Sequence, residues 1–282
     1  MGKLVTFGCS ITQGFALPDV VNTIRDDQGR ALTDDEIRDQ GILWSDIHRY
    51  EPSKYAWPQV LGDRLGLAVT NHARRGACFQ QIARQVAVAR NTIEPGDTVI
   101  VMWTYFSRIS LQWPRRTAVP FCTITDSNWG WQSLRLGFNK FFGLEQIKTK
   151  DHSEEETIQK FIKNWAEQQL DPMAEYNRYY NNLVLQIMTA EALKSTGARV
   201  IHLSVEAEPV LQQLEKTRRD LYQSLGEQYT IPDPKDWYTL TVDYSCAPTL
   251  LDPTIPLAEN DMHPSVTHHR NFAEELERRY FA

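Results

Sequence analysis

Two short segments at opposite ends of this 282-residue chain hold the side chains best suited to chemistry. Leu4-Val5-Thr6-Phe7-Gly8-Cys9-Ser10-Ile11-Thr12-Gln13-Gly14 runs an apolar stretch into a turn of small residues that carries a serine. Asp261-Met262-His263-Pro264-Ser265 sets an acid, a histidine and a helix-starting proline within four consecutive positions. A serine hydroxyl attacks a carbonyl only when a positioned base removes its proton, and that base works best when a carboxylate fixes its tautomer. The two segments together supply hydroxyl, imidazole and carboxylate. This is the set needed by a serine hydrolase acting on esters.

Each group has a bland reading beside the chemical one. Serine is a favoured helix N-cap, so Ser10 could simply open the helix after its turn. Cys9 is a rival nucleophile, but neighbouring side chains leaving a strand point in opposite directions. If Ser10 faces the site, Cys9 faces inward. Gly8 and Cys9 keep the turn small, which lets backbone amides point at a developing oxyanion. His263, His268 and His269 with Asp252 and Asp261 also invite a metal reading. On a helix, however, His268 and His269 lie about 100° apart and cannot share a face, so no metal and no other cofactor is expected.

The elements that must position these groups follow from hydrophobic spacing. Lys3–Phe7 reads as a buried strand, Pro58–Leu65 as a helix, Leu67–Asn71 as a second strand and Phe79–Arg90 as a second helix. Thr98–Trp103 is apolar almost throughout, as expected of a strand buried on both faces of a parallel sheet. Tyr176–Thr196 reads as a long helix, Arg199–Ser204 as a strand and Pro264–Phe281 as the last helix. Strands alternating with helices imply an α/β fold with a parallel central sheet. Ser10 then falls at the carboxyl end of the first strand, where such sheets hold their active sites.

Two stretches fall outside this alternation. Residues 17–56 are polar and turn-rich, and residues 109–171 carry Trp113, Trp129, Trp131 and Trp165. The second is expected to be a helical, aromatic-rich insertion partly covering the site, with most of its tryptophans forming its own core. Glu206–Pro256 is mixed and proline-rich. A single domain over 1–282 with insertions around 17–56 and 109–171 fits the length.

Composition narrows the partners. Thirty Lys and Arg against 36 Asp and Glu give a net charge of −6, which disfavours nucleic acid. The four cysteines, Cys9, Cys78, Cys122 and Cys246, show no CxxC spacing and read as buried free thiols of a reducing compartment. No apolar run approaches the ~20 residues of a membrane span, and no signal peptide is visible, so a cytoplasmic location is expected.

The same residues resemble the SGNH, or GDSL-like, hydrolase family, in the branch of bacteria and phages with an FGCS block. The resemblance rests on Phe7-Gly8-Cys9-Ser10, Trp57-Pro58 with Leu61 and Leu65-Gly66, and Asn71-His72-Ala73-Arg74-Arg75-Gly76. It continues in Trp103-Thr104 with Arg108 and in Asp261-x-His263-Pro264-Ser265 with His269 and Ala273. It implies a flavodoxin-like three-layer α/β/α sandwich, with Ser10 as nucleophile, His263 as base and the amides of Ser10 and Gly76 as the oxyanion hole. Two departures stand out. The family's Gly-x-Asn-Asp block reads Trp103-Thr104-Tyr105-Phe106 here, leaving Thr104, Tyr105 or Arg108 as replacement oxyanion or substrate contacts. Its late Asp-x-x-His motif would place Asn260 as the partner of His263, whereas Asp261 is the nearest carboxylate and is the expected one. Asn71 is expected to shape the Gly76 loop. Arg108 is either an anchor for an anionic substrate group or half of a structural ion pair.

The expected activity is hydrolysis of small acyl esters, such as O-acetyl groups on a glycan, through Ser10, His263 and Asp261. The rivals are an O-acyltransferase with the same triad and a non-catalytic binding protein that keeps the fold. Neither a membrane nor nucleic acid is expected as partner, and the oligomeric state is not legible.

Overall fold

The computed structural model describes residues 2–20, 28, 30, 51–74, 76–105, 109–112, 121–124, 172–205, 242–243, 247–258 and 263–282. In chain order the elements are β1 (Leu4–Phe7), α1 (Ser10–Gln13), α2 (Trp57–Leu65), β2 (Val69–Asn71), α3 (Phe79–Ala89) and β3 (Thr98–Trp103). There follow β4 (Ile109–Gln112), β5 (Phe121–Ile124), α4 (Pro172–Lys194), β6 (Arg199–Ser204), β7 (Val242–Asp243), α5 (Ala247–Leu250) and α6 (Val266–Tyr280).

Five strands form one parallel sheet in the order β2-β1-β3-β6-β7. With the separate β4–β5 hairpin set aside, this is the 2-1-3-4-5 order of a flavodoxin-like fold. Its strand order reverses between β1 and β3, the switch point beside whose carboxyl ends such sheets bind their ligands. The central strands β1 and β3 are mostly apolar and buried except at Thr98, and each fully buried large aliphatic or aromatic side chain contributes ~1.5–3 kcal/mol.

Register shows which helices cover which face. Leu4 pairs with Val69 on one side and Thr98 on the other, so Leu4, Thr6, Val69, Ile100 and Met102 share a face. Val5, Phe7, Val99, Val101 and Trp103 share the opposite one. Helix α2 lies on the first face, so close that a Cβ on Gly62 would meet Val69 Cγ2 at 2.1 Å. Helix α3 lies on the second, where Phe79 stacks on Trp103 with centroids 5.1 Å apart. Helix α6 joins α2 through an edge-on Trp57–Phe272 contact and through Arg64 pairing with Glu274 and Glu277. Helix α4 packs beside α3. The result is a three-layer α/β/α sandwich.

Within the face that α3 covers, Trp103 also stacks over His202 of β6 and donates its Nε1–H to His202 Nδ1 at 3.2 Å. Burial pushes the His202 pKa down from 6.5 to about 4. The ring is therefore neutral and serves the core as an acceptor.

The insertion expected to be helical opens with strands instead. Ile109-Ser110-Leu111-Gln112 alternates apolar and polar residues with period two, and it pairs antiparallel with Phe121–Ile124. The four tryptophans of that insertion lie outside the described residues. The ends of the 17–56 excursion, by contrast, are tied together. Ser53 Oγ donates to Asp19 Oδ1 at 2.5 Å, the Lys54 amide donates to Asp19 Oδ2, and the Ser53 amide donates to Gln13 O. Among the described residues, no helix is long and apolar enough to cross a membrane.

Candidate active site

Ser10 stands at the carboxyl edge of β1, as the first residue of the short helix α1. The N-cap is Cys9, whose side chain makes no capping bond, so Ser10 is not spending its hydroxyl as a cap. The turn is tight. A Cβ on Gly8 would lie 2.2 Å from Thr12 Oγ1 and 2.7 Å from Thr12 Cβ, so any larger residue would displace α1. Gly14, at φ 78°, ends the helix in a left-handed conformation that glycine adopts without strain. Its amide and that of Phe15 both bond to Ser10 O. Cys9 is fully buried within the hydrophobic core.

The loop after β2 is sewn to this turn. The His72 amide donates to Thr6 O and the Arg74 amide to Gly8 O, at 2.8 and 3.1 Å. Asn71 fastens both parts, its Nδ2 donating to Thr12 O at 2.9 Å and its Oδ1 accepting from the Ala73 amide at 3.0 Å. Asn71 thus shapes the loop, as its position suggested, and its amide group is committed to that task. Gly76 closes the loop at φ 71°. His72 stacks flat on Phe7 with centroids 5.1 Å apart. Burial, then the charges of Arg74 and Lys3, hold its pKa below the usual histidine value.

The histidine arrives from the far end of the chain. His263 Nε2 lies 3.0 Å from Ser10 Oγ, although the two are 253 positions apart. Phe15 meets the imidazole edge-on with centroids 5.2 Å apart, and His263 O accepts from the Ala258 amide at 2.9 Å.

Two further histidines, His268 and His269, anchor the segment that delivers His263. His268 is fully buried. Its Nε2 donates to Asp252 O at 2.9 Å, and its Nδ1 accepts from the Ser265 amide at 3.1 Å, with Ser265 Oγ 2.9 Å away. It therefore clamps both ends of the 252–265 loop. His269 Nδ1 accepts from the Trp57 amide at 3.1 Å, joining α6 to the start of α2. Burial above all, with the charges of His268 and His263 adding to it, lowers its pKa to about 3. The signal was present in the sequence: Ser265-x-x-His268 has capping-box spacing, with histidine in the place of glutamate.

Thr104 follows β3 directly and is fully buried, and Tyr105 packs half-buried against the edge of the core. Asp261, Asn260 and Arg108 lie outside the described residues. The site thus brings together Ser10, His263, Asn71 and the Gly76 loop beyond the carboxyl end of β1.

No family model matches the chain, and comparison of its sequence with curated proteins finds no match. Comparison with solved structures does find likenesses. A lipolytic protein of the G-D-S-L family from Desulfitobacterium hafniense aligns over 99% of both chains at 15% identity and a TM-score of 0.41. One from Veillonella parvula aligns over 99% of this chain and 98% of its own at 12% identity and 0.40. An acetyl xylan esterase from Butyrivibrio proteoclasticus covers 98% of this chain and 64% of its own at 10% identity and 0.43. These neighbours are esterases and lipolytic proteins. At such distances their chemistry does not transfer, and the functional reading rests on the distances within this chain.

Proposed function

We propose that this chain is a serine esterase of the SGNH, or GDSL-like, kind, acting on small acyl esters such as O-acetyl groups on a carbohydrate. The observation that carries the reading is the 3.0 Å approach of His263 Nε2 to Ser10 Oγ. That distance is within reach for proton transfer between a nucleophile and its base.

In this reading Ser10 Oγ bonds to the ester carbonyl carbon as its proton passes to His263 Nε2. The carbonyl oxygen becomes an oxyanion that the amides of Ser10 and Gly76 receive. At the first position of α1 the Ser10 amide has no carbonyl to bond within its own helix, which suits it to that role. His263 then hands the proton to the departing alcohol oxygen, leaving an acyl-enzyme. Water, deprotonated by the same imidazole, releases the acid. Asp261, through His263 Nδ1, keeps Nε2 free to accept. Ser10 is only 2% exposed, and Phe15 walls the imidazole, which favours a small acyl group.

That same enclosure favours a second reading. A nucleophile shielded from water protects an acyl-enzyme long enough for a sugar hydroxyl to take the acyl group, so an O-acyltransferase would use these atoms equally well. One experiment addresses both. A fluorophosphonate probe is expected to label the wild type and Cys9→Ala but not Ser10→Ala. Acetyl-ester turnover with and without a sugar acceptor then separates free acetate from acetylated sugar. Labelling that survives Ser10→Ala would refute the nucleophile assignment.

A further inference from the structure

Thr104 has a hydroxyl that nothing in the fold explains. The residue is 0% exposed, and its Oγ1 has no hydrogen-bond partner. An orphaned buried hydroxyl is costly, and proteins keep few of them. Its place in the sheet is informative. Phe7 of β1 lies beside Val101 of β3, and Ser10 and Thr104 each follow three residues later, so both stand just beyond the carboxyl ends of neighbouring strands. Adjacent strands are about 4.8 Å apart. The pairing of β3 persists to this edge, since the Val205 amide still bonds to Trp103 O. Strand alternation puts Thr104 on the face of Ile100 and Met102, the face covered by α2 and α6, and His263 enters from the loop just before α6.

Two other threonine hydroxyls among the described residues are buried and unpartnered, Thr6 and Thr12. Thr6 sits inside β1, four residues short of Ser10. Thr12 faces back to Gly8, within the turn itself. Of the three, only Thr104 lies just beyond the carboxyl end of the strand that neighbours β1.

We propose that Thr104 is a catalytic residue whose hydroxyl donates a hydrogen bond to the oxyanion formed when Ser10 attacks its ester. The inference rests on the esterase reading above. The hydroxyl is unpaired in the resting enzyme because its partner, the negatively charged oxygen, exists only during the reaction. Such a donor stabilises the transition state and not the ground state, so it acts on kcat. Ser10 is nearly as enclosed as Thr104. In water-poor surroundings a fixed donor is worth far more than in solvent.

Thr104→Val tests this, because it removes the hydroxyl at nearly constant volume and leaves no polar atom stranded. Aryl acetate hydrolysis by Thr104→Val is expected to lose about 100-fold in kcat with KM nearly unchanged. Its melting temperature is expected to equal or exceed that of the wild type, because an unpaired buried hydroxyl has gone. Thr104→Ser, which keeps the donor, is expected to recover most of kcat. Wild-type kcat in Thr104→Val would overturn the proposal, as would a fall in kcat matched by a fall in melting temperature. Fluorophosphonate labelling of the wild type is run alongside. A labelled, active wild type with an unaffected Thr104→Val overturns only the role of Thr104, whereas an unlabelled, inactive wild type overturns the esterase reading with it.

Discussion

The two halves of the site are built in different ways. The nucleophile half is made of adjacent backbone: Ser10 follows its strand within three residues, and apart from the Ser53 amide on Gln13 O its ties are local or run to β2 and the loop after it. Asn71, the Arg74 amide and Gly14 each hold it through main-chain atoms. The base half is made of a loop that must reach back across the sequence, and a buried side chain, His268, holds it at both ends. The first half fails when a residue no longer fits. The second fails when one hydrogen-bonding ring is lost, and the sheet would survive that loss.

Among substitutions that leave Ser10 and His263 in place, Gly8→Ala should have the largest effect. Its Cβ would overlap Thr12, which is buried and has nowhere to retreat. Overpacking of this kind costs about 1–3 kcal/mol and would swing α1 away from its place. Esterase activity is expected to fall by more than 100-fold and the melting temperature by several degrees, read by turnover and thermal denaturation. An active Gly8→Ala would mean the turn is looser than its contacts imply.

His268→Ala comes next and probes the other half. It leaves the half-buried Asp252 carbonyl and Ser265 amide without their partner, each a net loss of about 0.5–1.5 kcal/mol. The prediction is a fall in kcat of at least tenfold while the molecule stays folded by circular dichroism. His268→Gln, which can bond at one end, should fall between. A His268→Ala enzyme with normal kcat would show that other contacts set the base.

The smallest effect is one of acid stability and touches the base half only through His269. His202 and His269 are buried in neutral form, with pKa values lowered to about 4 and about 3. The unfolded chain takes up these protons near 6.5, so it binds more protons than the fold between those values. The stability they contribute is complete above about 6.5 and is lost as pH falls towards 4 and below. The melting temperature should therefore decline across that window. In His202→Phe, which keeps an aromatic ring over Trp103 but cannot be protonated, the decline should be shallower. Equal slopes in the two proteins would contradict the assignment.

Much of this comparison could be read before any coordinates. Thr98–Trp103 was legible because double-sided burial leaves a nearly unbroken apolar run, and α6 because its buried positions recur at helical spacing. Ser10 and His263 were legible because each carries a reactive group in a distinctive local setting. What escaped notice was either too short or depended on the tertiary fold. Helix α1 has four residues and β7 two, too few to show a period. The β4–β5 hairpin does carry a period-two pattern, but the surrounding aromatics drew the reading towards a helix. The role of His268 depends on the Asp252 carbonyl, a backbone group 16 positions away that no residue type betrays.

The most direct measurement is the rate of fluorophosphonate labelling at Ser10 in wild type and in His263→Ala, with folding checked by thermal denaturation. If His263 takes the Ser10 proton, the variant should stay folded and label more slowly by about 10⁴-fold or more. Labelling at the wild-type rate in a folded His263→Ala protein would contradict the account at its centre.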